Sequence, residues 1–285
     1  SPWHARLNRI TPGKRRQMRT VAIVQARMNA SRLPGKVLLD IAGQPMLVRV
    51  VERARRAALL DAVIVATTTD PSDDPVEELC QEREYPFYRG SMQDVLDRYY
   101  QAARQANAGV VVRLTADCPL IDPGVIDRVI TAFYGGTAQQ PDRLDDFPWD
   151  FAANRLPPPW QRTYPIGLDT EVCTFQALER AWREASQPHQ REHVMPYLYE
   201  QEGCFRVLVV DHDPDHGSLR WTVDTPEDLV LVRQVYAYFH GRDDFSWYEV
   251  LDLFEQHPEI GQINAGVQHK SVRDVDTRPV NEPEA

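Results

Sequence analysis

Three cations, Arg27, Arg32 and Lys36, fall within QARMNASRLPGK (residues 25–36), a stretch with no acidic residue. Side chains of this kind supply the charge-assisted donors that a polyanion such as phosphate requires. Gly35 allows close backbone approach, and Pro34 stiffens the turn. The stretch is neither a GxxxxGK[ST] phosphate loop nor a GxGxxG fingerprint. Anion binding is the reading its spacing favours, with a solvated basic turn as the alternative.

Such a loop needs a strand to aim it. The apolar run TVAIVQ (20–25) predicts that strand, and the loop then leaves its carboxyl end, where open α/β sheets place their ligands. Downstream, β-rich runs alternate with helical periodicity. Strands are predicted at 62–69, 109–117, 205–210 and 219–223, with another at LDTEVCTF leading into a helix at QALERAWREA. Helices are predicted at 45–60, 74–84, 92–106, 191–201 and 226–239, and a last one at FSWYEVLDLFEQHP. In the 45–60 segment, Leu47, Val50, Val51, Ala54 and Ala58 share one face, with arginines opposite. Thr225 and Asp228 form a partial capping box at the start of 226–239. The alternation implies a mostly parallel sheet covered on both faces.

At 285 residues and 42% apolar content the chain can bury a substantial core. Its formal charge of −10 argues against a general nucleic-acid binder, and no run reaches the roughly 20 apolar residues that span a bilayer. A cytoplasmic protein without nucleic-acid or membrane partners is expected. Cys80, Cys118, Cys173 and Cys204 form no CxxC pair, so reduced and mostly buried thiols are expected. Residues 1–19 read as a basic flexible arm, with Met18 as a possible native start, 20–264 as the folded domain and 265–285 as a tail. The Pro-, Asp- and Gln-rich stretch 135–165 reads as an excursion over the surface.

VAIVQARMNASRLPGKVLLDIAGQPML resembles the opening of the sugar-acid cytidylyltransferases, most closely the SpsF-like branch of spore-coat polysaccharide synthesis. The likeness continues through ATTTDPSDDPV, YRGSMQDVLDRYY, RLTADCPLIDPGVID, TYPIGLDTEV, REHVMPY and RWTVDTPEDL, covering about residues 20–240 in family order. It implies a three-layer α/β/α nucleotidyltransferase fold, Rossmann-like and of GT-A type, with a mixed, mostly parallel sheet of about seven strands. It also implies transfer of CMP from CTP to a small, acidic acceptor with release of pyrophosphate. Gln25, Ala26, Arg27, Arg32, Lys36, Thr68, Arg89, Gly90, Ser91 and Asp94 match nucleotide-facing positions. Arg32, Lys36 and Asp117 would carry catalysis, and Asp117 and Asp224 match ligands of Mg²⁺, whose hard-oxygen preference suits carboxylates and phosphate.

The acceptor would meet Gly167, Asp169, Glu171, Arg191 and His193, with Arg220 a further candidate for its carboxylate. His193 or Asp169 could serve as a base, although metal binding can acidify a hydroxyl without one. Arg98 and Asp94 are spaced for an ion pair on one helix, and Arg191 and Glu192 for a surface pair. The sequence departs from the family pattern at Asn29, Ala30 and Ala116, and at Ile166 and Met195 near the acceptor end.

Two other activities compete. One is a nucleotide-sugar-dependent glycosyltransferase using Asp211-His212-Asp213, although Pro214 and Gly217 make that segment look like a polar turn. The other is CMP transfer to a non-sugar acceptor such as a phosphonate or amino acid. A homodimer is expected through 135–165, where Phe147, Trp149, Phe151 and Trp160 suit an interface.

Overall fold

The computed structural model describes residues 18–271. Most of the expected arm and tail therefore lie outside the described residues. Arg19 does not belong to an arm: it opens the first strand and donates to the Ala106 carbonyl at 2.7 Å.

The chain begins with β1 (Arg19–Gln25), a short hairpin of β2 (Asp40–Ile41) and β3 (Gln44–Pro45), and α1 (Met46–Arg55). Next come β4 (Ala62–Thr68), α2 (Asp74–Glu82), β5 (Phe87–Gly90), α3 (Val95–Gln105), β6 (Ala108–Thr115) and α4 (Pro123–Phe133). The second half contributes β7 (Phe151–Ala153), β8 (Glu171–Thr174), α5 (Phe175–Glu184), α6 (Pro188–His193), α7 (Pro196–Glu200) and β9 (Val207–Val209). It closes with α8 (Pro226–Tyr238), α9 (Trp247–Gln256) and α10 (Pro258–Gln262).

Seven strands form one sheet in the order β5-β4-β1-β6-β8-β7-β9. Among these strands β8 alone runs against the rest. Val21, Ala22, Ile23 and Val24 of β1 are all fully buried, as a central strand covered on both faces must be. Ala22 and Val24 pack with residues of α1 and α4, including Leu47, Val51, Ile126 and Phe133. Val21 and Ile23 join the opposite layer with Leu96 and Tyr99 of α3 and Leu178 of α5. A third cluster gathers Trp221, Val223, Tyr164 and Leu168 with α8 and α9. The three-layer, mostly parallel fold follows from this.

Several sequence expectations are corrected. The helix expected over 45–60 stops at Arg55. Arg49 and Arg53 do not face water either: they are 5% and 0% exposed, and their guanidiniums bond the carbonyls of Ile41, Ala42, Gly241, Ile121, Asp243 and Phe245. A buried charge is tolerable when carbonyls surround it. β5 was not foreseen. Neither was β7, which takes the 135–165 stretch into the sheet between β8 and β9.

Residues 219–223 form no strand. Ile166 and Arg220 make an isolated bridge, and Trp221 and Val223 donate to the carbonyls of Ile166 (2.6 Å) and Asp117 (2.8 Å). Finally, the single helix expected at 191–201 is two. It breaks at Val194, which sits at φ 71° and ψ −56°, while Met195 donates to the His193 carbonyl at 2.8 Å. That is the geometry of the strained form of γ-turn, unusual for a β-branched residue. Pro196, lacking an N–H, then restarts the chain in α7.

Candidate active site

The carboxyl ends of β1 and β6 open onto a cavity of about 480 Å³. The loop after β1 enters it under tension from both sides. Met28 donates its N–H to the Asp73 carboxylate (2.7 Å), and Gly35 donates to the Met28 carbonyl (2.8 Å). Asp73 is fully buried and accepts in turn from the Thr68 hydroxyl. Gly35 adopts φ 71°, which glycine tolerates best, and Lys36 opens the 3₁₀ turn behind it.

This turn delivers the Lys36 ammonium to the centre of the site. Its Nζ lies 3.2 Å from Asp117, 2.9 Å from Asp224 and 2.8 Å from the Val223 carbonyl. The other oxygen of Asp224 accepts from Arg220 (2.8 Å) and pairs with Arg32 (3.1 Å). Burial opposes ionisation of Asp224, yet Lys36, Arg32 and Arg220 hold its carboxyl well below the usual carboxylate range. Burial likewise opposes charge on Lys36, but Asp117 and Asp224 outweigh it and raise its pKa. Asp224 is therefore ionised at neutral pH beside the Lys36 ammonium.

The donor chemistry here suits a hard divalent cation. Oxygen ligands from one or two carboxylates, completed by substrate phosphates, are the ordinary environment of Mg²⁺. Asp117 and Asp224 offer such a pair, with Lys36 as the counter-cation between them. Among the described residues no group of three or more His, Cys, Asp or Glu side chains could hold a metal, and this applies to the Asp169–Glu171 end of the cavity as it does to Asp211-His212-Asp213. The latter segment is a turn in which Asp211 accepts from Thr163 and His212 Nδ1 contacts the Pro214 carbonyl. Cys80, Cys118 and Cys173 are buried and Cys204 is exposed, all as free thiols. Cys118 lies beside Asp117, where burial and the neighbouring carboxylates push its thiol far up and keep it inert.

Gly167, Asp169, Glu171 and His193 line the far end of the same cavity. Gly167 is required where it stands: at φ 113°, an added Cβ would lie 2.7 Å from the Trp221 carbonyl carbon. Glu171 pairs with Arg113 across the β6–β8 register (2.8 Å). Asp169 is held bidentately by Arg162 at 2.5 and 3.0 Å. Burial pushes the Asp169 carboxyl up, but Arg162 more than compensates and holds it at about 2.

A carboxyl depressed on folding contributes stability that is present above its unfolded pKa and is lost as pH falls through its folded one. Asp169 should therefore contribute up to about 2 kcal/mol above pH ~5 that fades towards pH ~2. Urea unfolding at several pH values in this window should give a shallower slope for Asp169→Asn than for the parent. Parallel slopes would refute the ion pair's contribution.

Not every expected residue meets the cavity. Ala26 is buried behind it, and Thr68 is occupied with Asp73. Arg89 turns away, binding the carbonyls of Thr68 and Asp70 and the carboxylates of Asp74 and Glu77. Gly90 is buried in β5, where a Cβ would sit 2.7 Å from the Tyr88 ring. Ser91 and Asp94 instead build the start of α3: Ser91 Oγ accepts from Asp94 N (3.0 Å), and Asp94 caps Asp97 N (2.9 Å).

Asp94 pairs with Arg191 (2.6 Å) and not with Arg98, whose guanidinium binds the carbonyls of Ser91 and Met92. Arg191 also donates to the carbonyls of Trp182 and Ala185, so it ties α6 to α3 and α5 and has no nitrogen left for an acceptor. Arg220 is similarly committed, to Asp224, Asp228 and His269.

The sequence reading missed four residues that shape the site. Arg113 lies mid-strand in an apolar run, and Arg155 and Arg162 lie in the Pro-rich excursion, where no periodicity signals orientation. Arg155 lines the cavity and makes no hydrogen bond or ion pair with another described residue. His269 belongs to the expected tail.

The comparisons fit this geometry. A family model described as cytidylyltransferase matches residues 21–240. Spore coat polysaccharide biosynthesis protein SpsF of Bacillus subtilis is 29% identical, covering 83% of this chain and 94% of that protein. A 3-deoxy-manno-octulosonate cytidylyltransferase of Anaeromyxobacter sp. (strain K) is 43% identical, covering 77% of this chain and 99% of that one. The solved structure of a cytidylyltransferase from Leptospira borgpetersenii superposes with a TM-score of 0.77 at 31% identity, covering 86% of this chain and 98% of the other. With the family model matching residues 21–240 and a 43% identical relative covered almost end to end, this chain belongs to the cytidylyltransferase family.

Proposed function

We propose that the protein transfers CMP from CTP to a hydroxyl of a small acidic acceptor, an acidic sugar in the first instance, and releases pyrophosphate. One observation carries the reading: a single cavity joins Arg27, Arg32, Lys36, Asp117 and Asp224 to a second half where Arg155 stands uncommitted beside the paired Asp169 and Glu171. The first group suits a triphosphate, the second a hydroxylated carboxylic acid.

In the reaction the acceptor oxygen bonds to the α-phosphorus as the bond to the bridging oxygen of pyrophosphate breaks, and the hydroxyl proton is lost. Arg27, Arg32 and Lys36 orient the triphosphate and stabilise the charge that develops on it. Asp117 and Asp224 would hold Mg²⁺, which when bound neutralises phosphate charge and acidifies the attacking hydroxyl. Asp169, ionised and locked to Arg162, is too weak a base to take that proton at neutral pH. Its part is to orient acceptor hydroxyls, while His193 lies on the same wall as the base candidate. Arg155 takes the role of carboxylate reader that Arg191 and Arg220, both committed elsewhere, do not fill.

The homodimer is carried within this proposal. Its support is narrower than the sequence suggested: Phe147 and Phe151 are buried in the protein's own core and Trp149 packs half-buried against it, leaving Trp160, 43% exposed, as the apolar anchor. No helix among the described residues is long and apolar enough to cross a membrane.

The reaction is tested by pyrophosphate release from CTP, ATP, GTP and UTP with Mg²⁺, against acidic sugars, phosphonates and amino acids. CTP-specific release with an acidic sugar, reduced at least ~100-fold in Asp117→Asn, is the expected result. Turnover with phosphonates or amino acids alone would move the acceptor class, and no release with any pair would sink the reading.

A further inference from the structure

Residues 264–271 return from α10 across the mouth of the cavity. Asn264 is 4% exposed and pins this segment, its amide donating to the Arg220 carbonyl (3.1 Å) and to Asp228 (2.8 Å). Beyond it, the Gln268 carbonyl accepts from Arg32 (3.1 Å), His269 Nδ1 lies 3.1 Å from Arg220 Nη1, and Lys270 Nζ reaches Ser31 Oγ (3.0 Å). His269, Lys270 and Ser271 line the cavity itself. The segment thus touches the anion loop at one end and the aspartate cluster at the other.

The bond to Arg220 fixes the state of the ring. A guanidinium has only donors, so Nδ1 must accept, which leaves the proton on Nε2 and the imidazole neutral. Burial and the nearby Arg162, Arg155 and Arg220 lower the His269 pKa, with Asp169 opposing them, and so favour this neutral form. Those neighbours place His269 at the acceptor half of the cavity.

We propose that residues 264–271 form a wall of the acceptor site and that His269 is a specificity-determining residue, donating from Nε2 to an oxygen of the acceptor. The proposal rests on the CMP-transfer reading above and adds a residue outside the segment matched by the family model, which ends at 240. A neutral donor between a carboxylate and arginines suits a polyhydroxylated acid, whose hydroxyls accept as well as donate.

The test uses the full chain with His269→Ala and His269→Gln, measuring pyrophosphate release with CTP and acceptor varied separately. His269 lines the cavity and belongs to none of the hydrophobic clusters, so neither variant disturbs the core. His269→Ala should raise the acceptor KM about tenfold while leaving the CTP KM within about twofold. His269→Gln, which retains an N–H donor, should recover most of that loss. An unchanged acceptor KM, or equal rises in both KM values, would overturn the proposal while leaving CMP transfer intact. A parent chain that releases no pyrophosphate with any acceptor would overturn the reaction and, with it, this role.

Discussion

Lys36→Met is expected to lower kcat for pyrophosphate release by about 10²–10³-fold, the usual effect of removing one preorganised group from a site of developing charge. The reason lies in where the ammonium stands. It reaches Asp117, Asp224 and the Val223 carbonyl together, at the carboxyl end of the sheet and behind a loop that Asp73 and Gly35 hold in place. No neighbouring cation can replace it, because Arg220 is tied to Asp228 and Arg32 meets the opposite oxygen of Asp224. A second readout separates electrostatics from misfolding. Without Lys36 the two carboxylates lose the cation between them, so Mn²⁺ should bind the nucleotide-free variant more tightly than the parent in an isothermal titration. Activity within tenfold of the parent, or weaker Mn²⁺ binding in a folded variant, would contradict this account.

Asp228→Ala should be the most destabilising single change near the site, at about 3–5 kcal/mol, the range for breaking a buried ion pair from one side. Asp228 is fully buried and accepts from Arg220 (2.9 and 3.0 Å), Asp224 N (2.9 Å), Thr225 N (3.0 Å) and Asn264 (2.8 Å). Its loss leaves Arg220, 7% exposed, with Asp224 as its one carboxylate partner among the described residues, removes half of the capping box of α8 and frees the anchor of residues 264–271. For a domain of this size the melting temperature should fall by roughly 10 °C. A fall of under about 2 °C in scanning calorimetry would show that the cluster is not held through Asp228.

Local chemistry made the cluster of Lys36, Asp117 and Asp224 legible in the sequence, but not that Ala26, Thr68, Arg89, Gly90, Ser91 and Asp94 would miss the cavity. β1, β4 and β6 are apolar runs long enough to announce themselves, and a basic loop directly after the first has few other places to point. Asp117 and Asp224 lie within two residues of elements that the pattern located, and Lys36 ends the basic loop that follows the first strand. The rest was less legible because its order depends on tertiary pairing. β7 is three residues long inside a Pro-rich stretch, and β5 is four residues beside glycine, so neither shows a period. Arg191 and Arg220 carry the right charge in the right motifs, yet nothing local reveals that Asp94, 97 positions from Arg191, claims one of them. Arg155 gives the converse case, an arginine with no motif of its own that the fold brings to the cavity. The break at Val194 was hidden because REHVMPYLYEQ has good helical composition up to a proline that helices accept at their start.

The reversal of β8 divides the sheet into two parts with different duties. On one side lie β5, β4, β1 and β6, of which β1 and β6 carry the loops that bring Lys36 and Asp117 to the cavity, and on the other lie β8, β7 and β9, with Glu171 at the cavity end of β8. The seam between them is four residue pairs long, from Val110↔Thr174 to Arg113↔Glu171, and the Arg113–Glu171 ion pair closes its cavity end. Residues 151–209 therefore form one contiguous piece of chain that meets the parallel strands at this seam and meets α3 through Arg191–Asp94 and Trp182–Asp97. A change inside it acts on the cavity through Arg155, Gly167, Asp169, Glu171 and His193, and leaves the Lys36 loop and Asp117 outside the altered stretch.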